Sequence, residues 1–430
     1  MNSQACDPNL HPSHLLSQQQ RSAPSDLPLG DVQTPCFLMD LRLLEDHGRY
    51  LKAIQEKAQI HILLAQKAYS YWPSYPLLSS YLAGTTASGL YEAKLGFEHM
   101  KGDVHCFCPA YKREDFAELY HVTSHLILNS ASQLDLYRSW LKNEGAQLDP
   151  NRAPKIGLRL NPEVSTAEVA LYDPSAKGSR LGITPKVFDQ QGLLERLKDP
   201  SGDPRGDVSG FHIHALCEQG AEDFEKLYRG ACAVFDELFK RADWMNFGGG
   251  QHFTHRDYNL PLFLKLCQEI HSSYPQAQIF FEPGEAIVLD CGWLISEVLD
   301  VVENEGKIAI LDASAECHMP DVLEMPYRPR AFLYAENEGK IPETCAEEEG
   351  PNVYTLAGAT CLAGDHIGRY AFDQELKIGD RIVFCDMALY SFVKSNHFNG
   401  MPHPQLAHFD GTKVHVSRMF RYEDFKAHMG

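Results

Sequence analysis

Five short stretches carry residues whose types and spacing permit chemistry. In LLAQKAYS, Lys67 follows a run of apolar residues. An ammonium group at the end of a buried strand meets surroundings that disfavour charge, so its pKa falls and the amine can form an imine with a carbonyl. A lysine in this place also simply marks where a strand surfaces. NFGGG supplies Gly248, Gly249 and Gly250, consecutive N–H groups without side chains, which let a phosphate approach closely or form no more than a flexible turn. His214 in GFHIHALCE offers a flat ring for stacking, or a hydrogen-bonded core imidazole. Glu282 in FFEPGEA is held near a strand tip by apolar residues before it and Pro283-Gly284 after it. There it can pair with a ring nitrogen or form a structural ion pair. Arg159 and Asn161 end a fifth run. His212, His214 and Cys217 have tolerable spacing for a metal, but that reading leaves the lysine and the glycines without a role.

These residues need a frame that brings strand ends together. Apolar runs at 60–64, 84–88, 104–108, 125–128, 155–160, 208–213, 243–247 and 277–282 alternate with segments of helical length and period, among them 41–58, 130–142, 184–198 and 221–240. Eight such units across 41–290 predict a (β/α)8 TIM-type barrel, an α/β fold whose reactive groups sit where strands end and loops begin. The 84–88 run is the poorest strand former, being GTTAS. Beyond 290 the texture changes to short β-like runs at 293–302, 307–313, 330–335, 352–358 and 381–387, separated by Gly, Pro and Asn clusters. This predicts a mostly antiparallel β domain over 291–430, joined by a strand from 31–40, where Asp40 is placed to cap the following helix.

Bulk properties narrow the partners. A formal charge of −19 over 430 residues opposes nucleic acid or an anionic membrane as the main partner, and is compatible with a cationic substrate. The twelve cysteines show no CxxC and no even framework, which reads as reduced thiols in a cytoplasm. Residues 1–30, rich in Ser, Gln, Pro and His without an apolar core segment, read as a mobile tail rather than a secretory signal.

An imine-forming lysine, a phosphate cradle, a stacking ring and an acid for a pyridine nitrogen together describe a pyridoxal 5′-phosphate site. Longer strings extend the pattern: QKAYS, SRLGI, GFHIHALCE, NFGGGQH, EPGEA, CHMPDVLEMPYRP, GATCLAGD and YSFVKSNHFNG. With them the chain resembles the alanine-racemase-fold (fold type III) pyridoxal-phosphate decarboxylases, the group that includes ornithine, arginine and diaminopimelate decarboxylases. The likeness runs over about 30–425 and is greatest to the branch that acts on carboxynorspermidine and carboxyspermidine.

The resemblance implies that Lys67 holds the cofactor covalently, His214 stacks on its ring, Glu282 holds the pyridine nitrogen, and Gly248 to Gly250 with Tyr390 contact the phosphate. Arg159 matches an arginine near the cofactor. Cys361 in GATC matches a cysteine delivered from the second subunit of a homodimer, with the active site at the interface. Glu285 stands where diaminopimelate and ornithine decarboxylases carry arginine, and a glutamate there suits a cationic amine. Asp321 falls where ornithine-type enzymes hold the distal amine, so the expected substrate-binding pair is Glu285 and Asp321. Leu362 stands where relatives carry an acid that contacts substrate, and the sequence leaves open whether Asp365 takes its place. The expected reaction is decarboxylation of carboxynorspermidine or carboxyspermidine; the alternatives are a basic amino-acid decarboxylase of the same fold and a non-catalytic binding protein.

Overall fold

The computed structural model describes residues 23–166, 173–334 and 341–430. Among them the chain forms two compact units: residues 48–287, and residues 23–47 with 288–430. The first strand, β1 (Cys36–Asp40), belongs to the second unit, and the helix Leu41–Ala58 follows it directly. Asp40 does cap that helix, its Oδ1 accepting the N–H of Arg42 at 2.9 Å.

The first unit is a closed parallel barrel of β2 (His61–Ala65), β3 (Gly84–Ala87), β4 (Asp103–Phe107), β5 (His125–Leu128), β6 (Lys155–Arg159), β7 (Val208–His212), β8 (Trp244–Asn246) and β9 (Gln278–Phe281), with β9 returning to β2. All eight predicted runs are strands, including the glycine-led β3. Its glycine is required by close approach, since a Cβ on Gly84 would lie 2.0 Å from the carbonyl oxygen of Asp103. Covered strands of this kind read as unbroken apolar runs because both faces are buried.

Trp244 organises the interior with Leu63, Ile127 and Phe280. Its indole occupies the space that a Cβ on Gly157 or Gly210 would need, at 2.4 and 2.1 Å. Outside the barrel, the helix Ala221–Phe239 buries Phe224, Leu227, Tyr228, Ala231, Phe235 and Leu238 along one stripe. Burying each large apolar side chain contributes about 1.5–3 kcal/mol. The helix expected over 184–198 is shorter: it spans Pro185–Gln190 and ends before Gly192, whose φ of +56° leaves the helical region.

The second unit is a nine-stranded sheet. Its central path pairs β1 with β10 (Gly292–Glu303), which pairs with β11 (Lys307–Leu311). Beyond these lie β12 (Ala331–Tyr334), β13 (Asn352–Ala357), β14 (His366–Phe372), β15 (Arg381–Phe384), β16 (Gln405–Phe409) and β17 (Val414–Arg418). Pairing is antiparallel except for β1 with β16 and β11 with β13, so the sheet is mixed and mostly antiparallel.

Of the tail expected over 1–30, residues 1–22 lie outside the described residues. Residues 23–30 are part of the second unit, because Leu27 and Leu29 are buried and Arg381 donates to the carbonyl of Leu29 at 2.7 Å. No described helix is long and apolar enough to cross a membrane. No two described cysteines form a disulfide.

Candidate active site

Glu282 is the hub of the barrel's C-terminal rim. The buried Phe280 and Phe281 of β9 carry it to the strand end, where its N–H donates to the carbonyl of Gly248 at 2.8 Å. One carboxylate oxygen, Oε2, lies 3.2 Å from Nε2 of His212, and the other, Oε1, accepts from Nδ2 of Asn246 at 2.7 Å. Burial works to raise its pKa, but the donors around it, His212, Thr86 and Asn246, outweigh that and hold the carboxyl below its ordinary range. Burial keeps His212 neutral, so it supplies an N–H rather than a full charge.

The glycine loop is shaped by contacts that exclude side chains. Gly248 and Gly250 have φ of +68° and +87°, and Cβ atoms on Gly248, Gly249 and Gly250 would meet His214, the Glu282 carbonyl and Leu216 at 2.3–2.4 Å. Not all three N–H groups are left for a ligand, as the sequence reading had them. Gly248 donates to Oδ1 of Asn246 at 2.9 Å and Gly249 to Nδ1 of His214 at 2.8 Å. Among the described residues, those of Gly250 and Gln251 have no acceptor. Two consecutive free N–H groups at a strand end suit a phosphate oxygen.

His214 is thereby fixed as an acceptor at Nδ1, and burial keeps it neutral. Its ring lies nearly parallel to that of His212, and His212 stacks on Phe107. Arg159 covers the same Phe107 at 4.4 Å and donates to the His214 carbonyl at 3.0 Å. Burial draws its pKa down to about 10, which leaves it cationic at neutral pH.

Lys67 stands in the turn after β2. It makes no hydrogen bond or ion pair to any other described residue, and it is exposed. The protein packed around it still lowers its pKa, chiefly through lost solvation, with Glu282 opposing and Arg159 adding to the effect. The amine is therefore more readily neutral than that of a free lysine.

Glu285 heads the short helix Glu285–Val288. Its Oε2 lies 3.5 Å from Nε2 of His252, and Glu218, His252 and Glu285 bring their ligand atoms within 4.8 Å of one another. Burial takes His252 down to about 4 and raises Glu218, so the cluster sets a neutral imidazole beside two acidic side chains. Sequence reasoning gave no role to Glu218 and His252, although they close two strings it had singled out, GFHIHALCE and NFGGGQH. The metal trio considered from the sequence is instead engaged elsewhere, His212 on Glu282 and His214 on Gly249.

Cys361, Tyr390 and Asp321 belong to the second unit. Cys361 is exposed on the loop after β13, its N–H donating to Oδ1 of Asn399 at 2.6 Å. Tyr390 adopts a φ of +53°, an uncommon conformation for a non-glycine residue. Asp321 already carries a cation, since it pairs with Nζ of Lys394, which also lies 3.3 Å from Glu324. Asp365 is committed to its own loop: it accepts from Ser314 Oγ, Thr360 Oγ1 and the N–H of Ala315 at 2.5–2.8 Å. It is a structural anchor of that loop.

A closed parallel barrel whose rim gathers an accessible lysine, an anionic glutamate, stacked imidazoles and free loop N–H groups defines a class, the pyridoxal-phosphate barrels. The chain belongs to the pyridoxal-dependent decarboxylase family, whose model, described as "Pyridoxal-dependent decarboxylase, C-terminal sheet domain", matches residues 36–388. It is 37% identical over 404 residues to carboxyaminopropylagmatine decarboxylase of Synechocystis sp., covering 94% of this chain and 97% of that one. It is 36% identical over 400 residues to carboxynorspermidine/carboxyspermidine decarboxylase of Campylobacter jejuni, covering 92% and 98%. The crystal structure of carboxynorspermidine decarboxylase complexed with norspermidine from the same organism superposes with a TM-score of 0.77 at 34% identity, covering 92% of this chain and all of that one.

Proposed function

We propose that this protein decarboxylates a carboxylated polyamine, carboxynorspermidine or carboxyspermidine, releasing norspermidine or spermidine and CO2. The observation that carries the reading is Glu285 within its cluster. Two acidic side chains and a neutral imidazole at one end of the barrel suit an ammonium group and would repel the second carboxylate of diaminopimelate. The relatives of 36–37% identity are named for substrates of this chemical class. One is named for an agmatine derivative, and a guanidinium end would suit the same acidic pair.

The donor set fits pyridoxal 5′-phosphate. Lys67 offers the amine that holds it, Glu282 an anion for the ring nitrogen, and His214 a ring face, while Gly250 and Gln251 offer N–H groups for the phosphate. When bound, the group supplies an electron sink for the pair left by departing CO2. Around it the chain's own residues bind and orient. Glu282 would keep negative charge where a pyridinium proton is wanted, Arg159 holds the His214 backbone, and Lys67, its pKa lowered, would offer a neutral amine to the group.

We assign the proton for the product carbon to the Cys361 thiol, carried on its exposed loop from the second copy in a homodimer. The absence of an even cysteine framework supports reading the enzyme as cytoplasmic. Purified protein supplied with pyridoxal 5′-phosphate and carboxynorspermidine is expected to yield norspermidine and CO2 in equal amounts, and Lys67→Ala to yield neither. Failure to release CO2 from either carboxylated triamine would overturn the reading.

A further inference from the structure

Below the rim, inside the barrel, lie buried histidines that the proposed reaction does not use. His105 on β4 and His125 on β5 face one another with ring centroids 4.0 Å apart, and Trp244 and Phe280 close around them. An imidazole used only as filling would cost desolvation that leucine avoids. His105, fully buried, instead has a specific partner: its Nδ1 lies 3.1 Å from Nδ2 of Asn246, which is 1% exposed.

The hydrogen-bond pattern fixes both groups. Oδ1 of Asn246 accepts the N–H of Gly248, so the amide nitrogen must face the other way. Its two N–H bonds are then divided, one to Oε1 of Glu282 and one to Nδ1 of His105. A donor pointing at Nδ1 excludes a proton there, so His105 is neutral with its proton on Nε2. Burial, with His125, His212, Lys155 and His61 nearby, acts in the same direction. Without that acceptor one N–H of the buried Asn246 amide is left unpaired, and its hold on the carboxylate loosens.

We propose that His105 is a positioning residue for the Glu282 carboxylate, acting through Asn246, and so sets how firmly the ring nitrogen of the cofactor is held. The proposal rests on pyridoxal phosphate being the ligand of this site. It predicts an effect confined to a ligand that has the ring nitrogen, which loss of packing alone would not produce.

The test is a fluorescence titration of apo-protein with pyridoxal 5′-phosphate and with its 1-deaza analogue, which lacks that nitrogen. His105→Leu is expected to weaken the first about tenfold and the second less than about twofold. His105→Asn, whose side-chain oxygen keeps an acceptor near Nδ1, is expected to hold the wild-type ratio. Equal weakening of both ligands, or of neither, would overturn the proposal. Wild-type protein that bound neither ligand would overturn the cofactor reading with it. Since the leucine variant can fail to fold, a second measurement uses wild-type protein with 15N-labelled histidine. The His105 ring is expected to carry its proton on Nε2 at pH 8 and at pH 5, and a proton on Nδ1 would overturn the proposal.

Discussion

Oε2 of Glu282 lies 3.2 Å from Nε2 of His212, a buried pair in which the carboxylate keeps the charge and the imidazole stays neutral. Glu282→Gln retains the shape and removes that charge. Hydrogen bonds to charged groups are worth about 1.5–3 kcal/mol, so kcat/KM should fall roughly 10- to 150-fold. The folded pKa lies below the unfolded one, so the charge contributes stability that is present above the unfolded carboxylate range and is lost as pH falls through the folded value. Thermal unfolding as pH falls below about 5 should therefore decline less steeply in the variant than in the wild type. Parallel slopes with full activity would refute this role.

Glu285→Arg reverses the charge beside Glu218 and His252. Turnover of the carboxylated triamines should drop about tenfold to a hundredfold in kcat/KM, because a cation would then face a cation. Steady-state kinetics on both triamines checks this, and a variant with wild-type kinetics would remove Glu285 from the substrate site.

Gly210→Ala forces a methyl group to within 2.1 Å of the Trp244 indole. Overpacking of this kind costs about 1–3 kcal/mol. Urea denaturation should report that loss, and combining it with Trp244→Phe should recover part of it, as expected for two groups that share one space. Strictly additive losses would contradict the contact.

Much of this arrangement was legible because parallel barrel strands announce themselves as apolar runs, and the ends of those runs mark the rim. Lys67, His214 and Glu282 were found in that way. Relationships between distant segments were not. Nothing in KIGLRL or VSGFHI says that Gly157 and Gly210 are small because Trp244 fills their space. Asn246 reads as part of a glycine motif, yet its partners lie on β4 and past β9. The Lys394 ion pair on Asp321 joins residues 73 positions apart. The strands β14, β16 and β17 also escaped notice: Gly368 interrupts the first, and the last is largely exposed and lacks a buried face.

The second unit should carry its own pH signature. Arg330 bridges Asp290 and Asp386 at 2.6 and 2.7 Å, and burial together with the Asp386 charge raises Asp290 to about 7. A raised carboxyl favours the folded state fully below its unfolded pKa, and that contribution is lost as pH rises through the folded value. Asp290→Asn keeps an acceptor for Arg330 and removes the titration. Melting temperatures measured from pH 4 to pH 8 should show the wild type losing stability relative to the variant across this interval. A constant difference would contradict the assignment.

The most direct test of substrate class is competition. Purified enzyme with pyridoxal 5′-phosphate is given equimolar carboxynorspermidine and diaminopimelate in one vessel, and the initial ratio of norspermidine to lysine is the ratio of the two kcat/KM values. The account predicts norspermidine in at least tenfold excess. Lysine formed faster than norspermidine would contradict it.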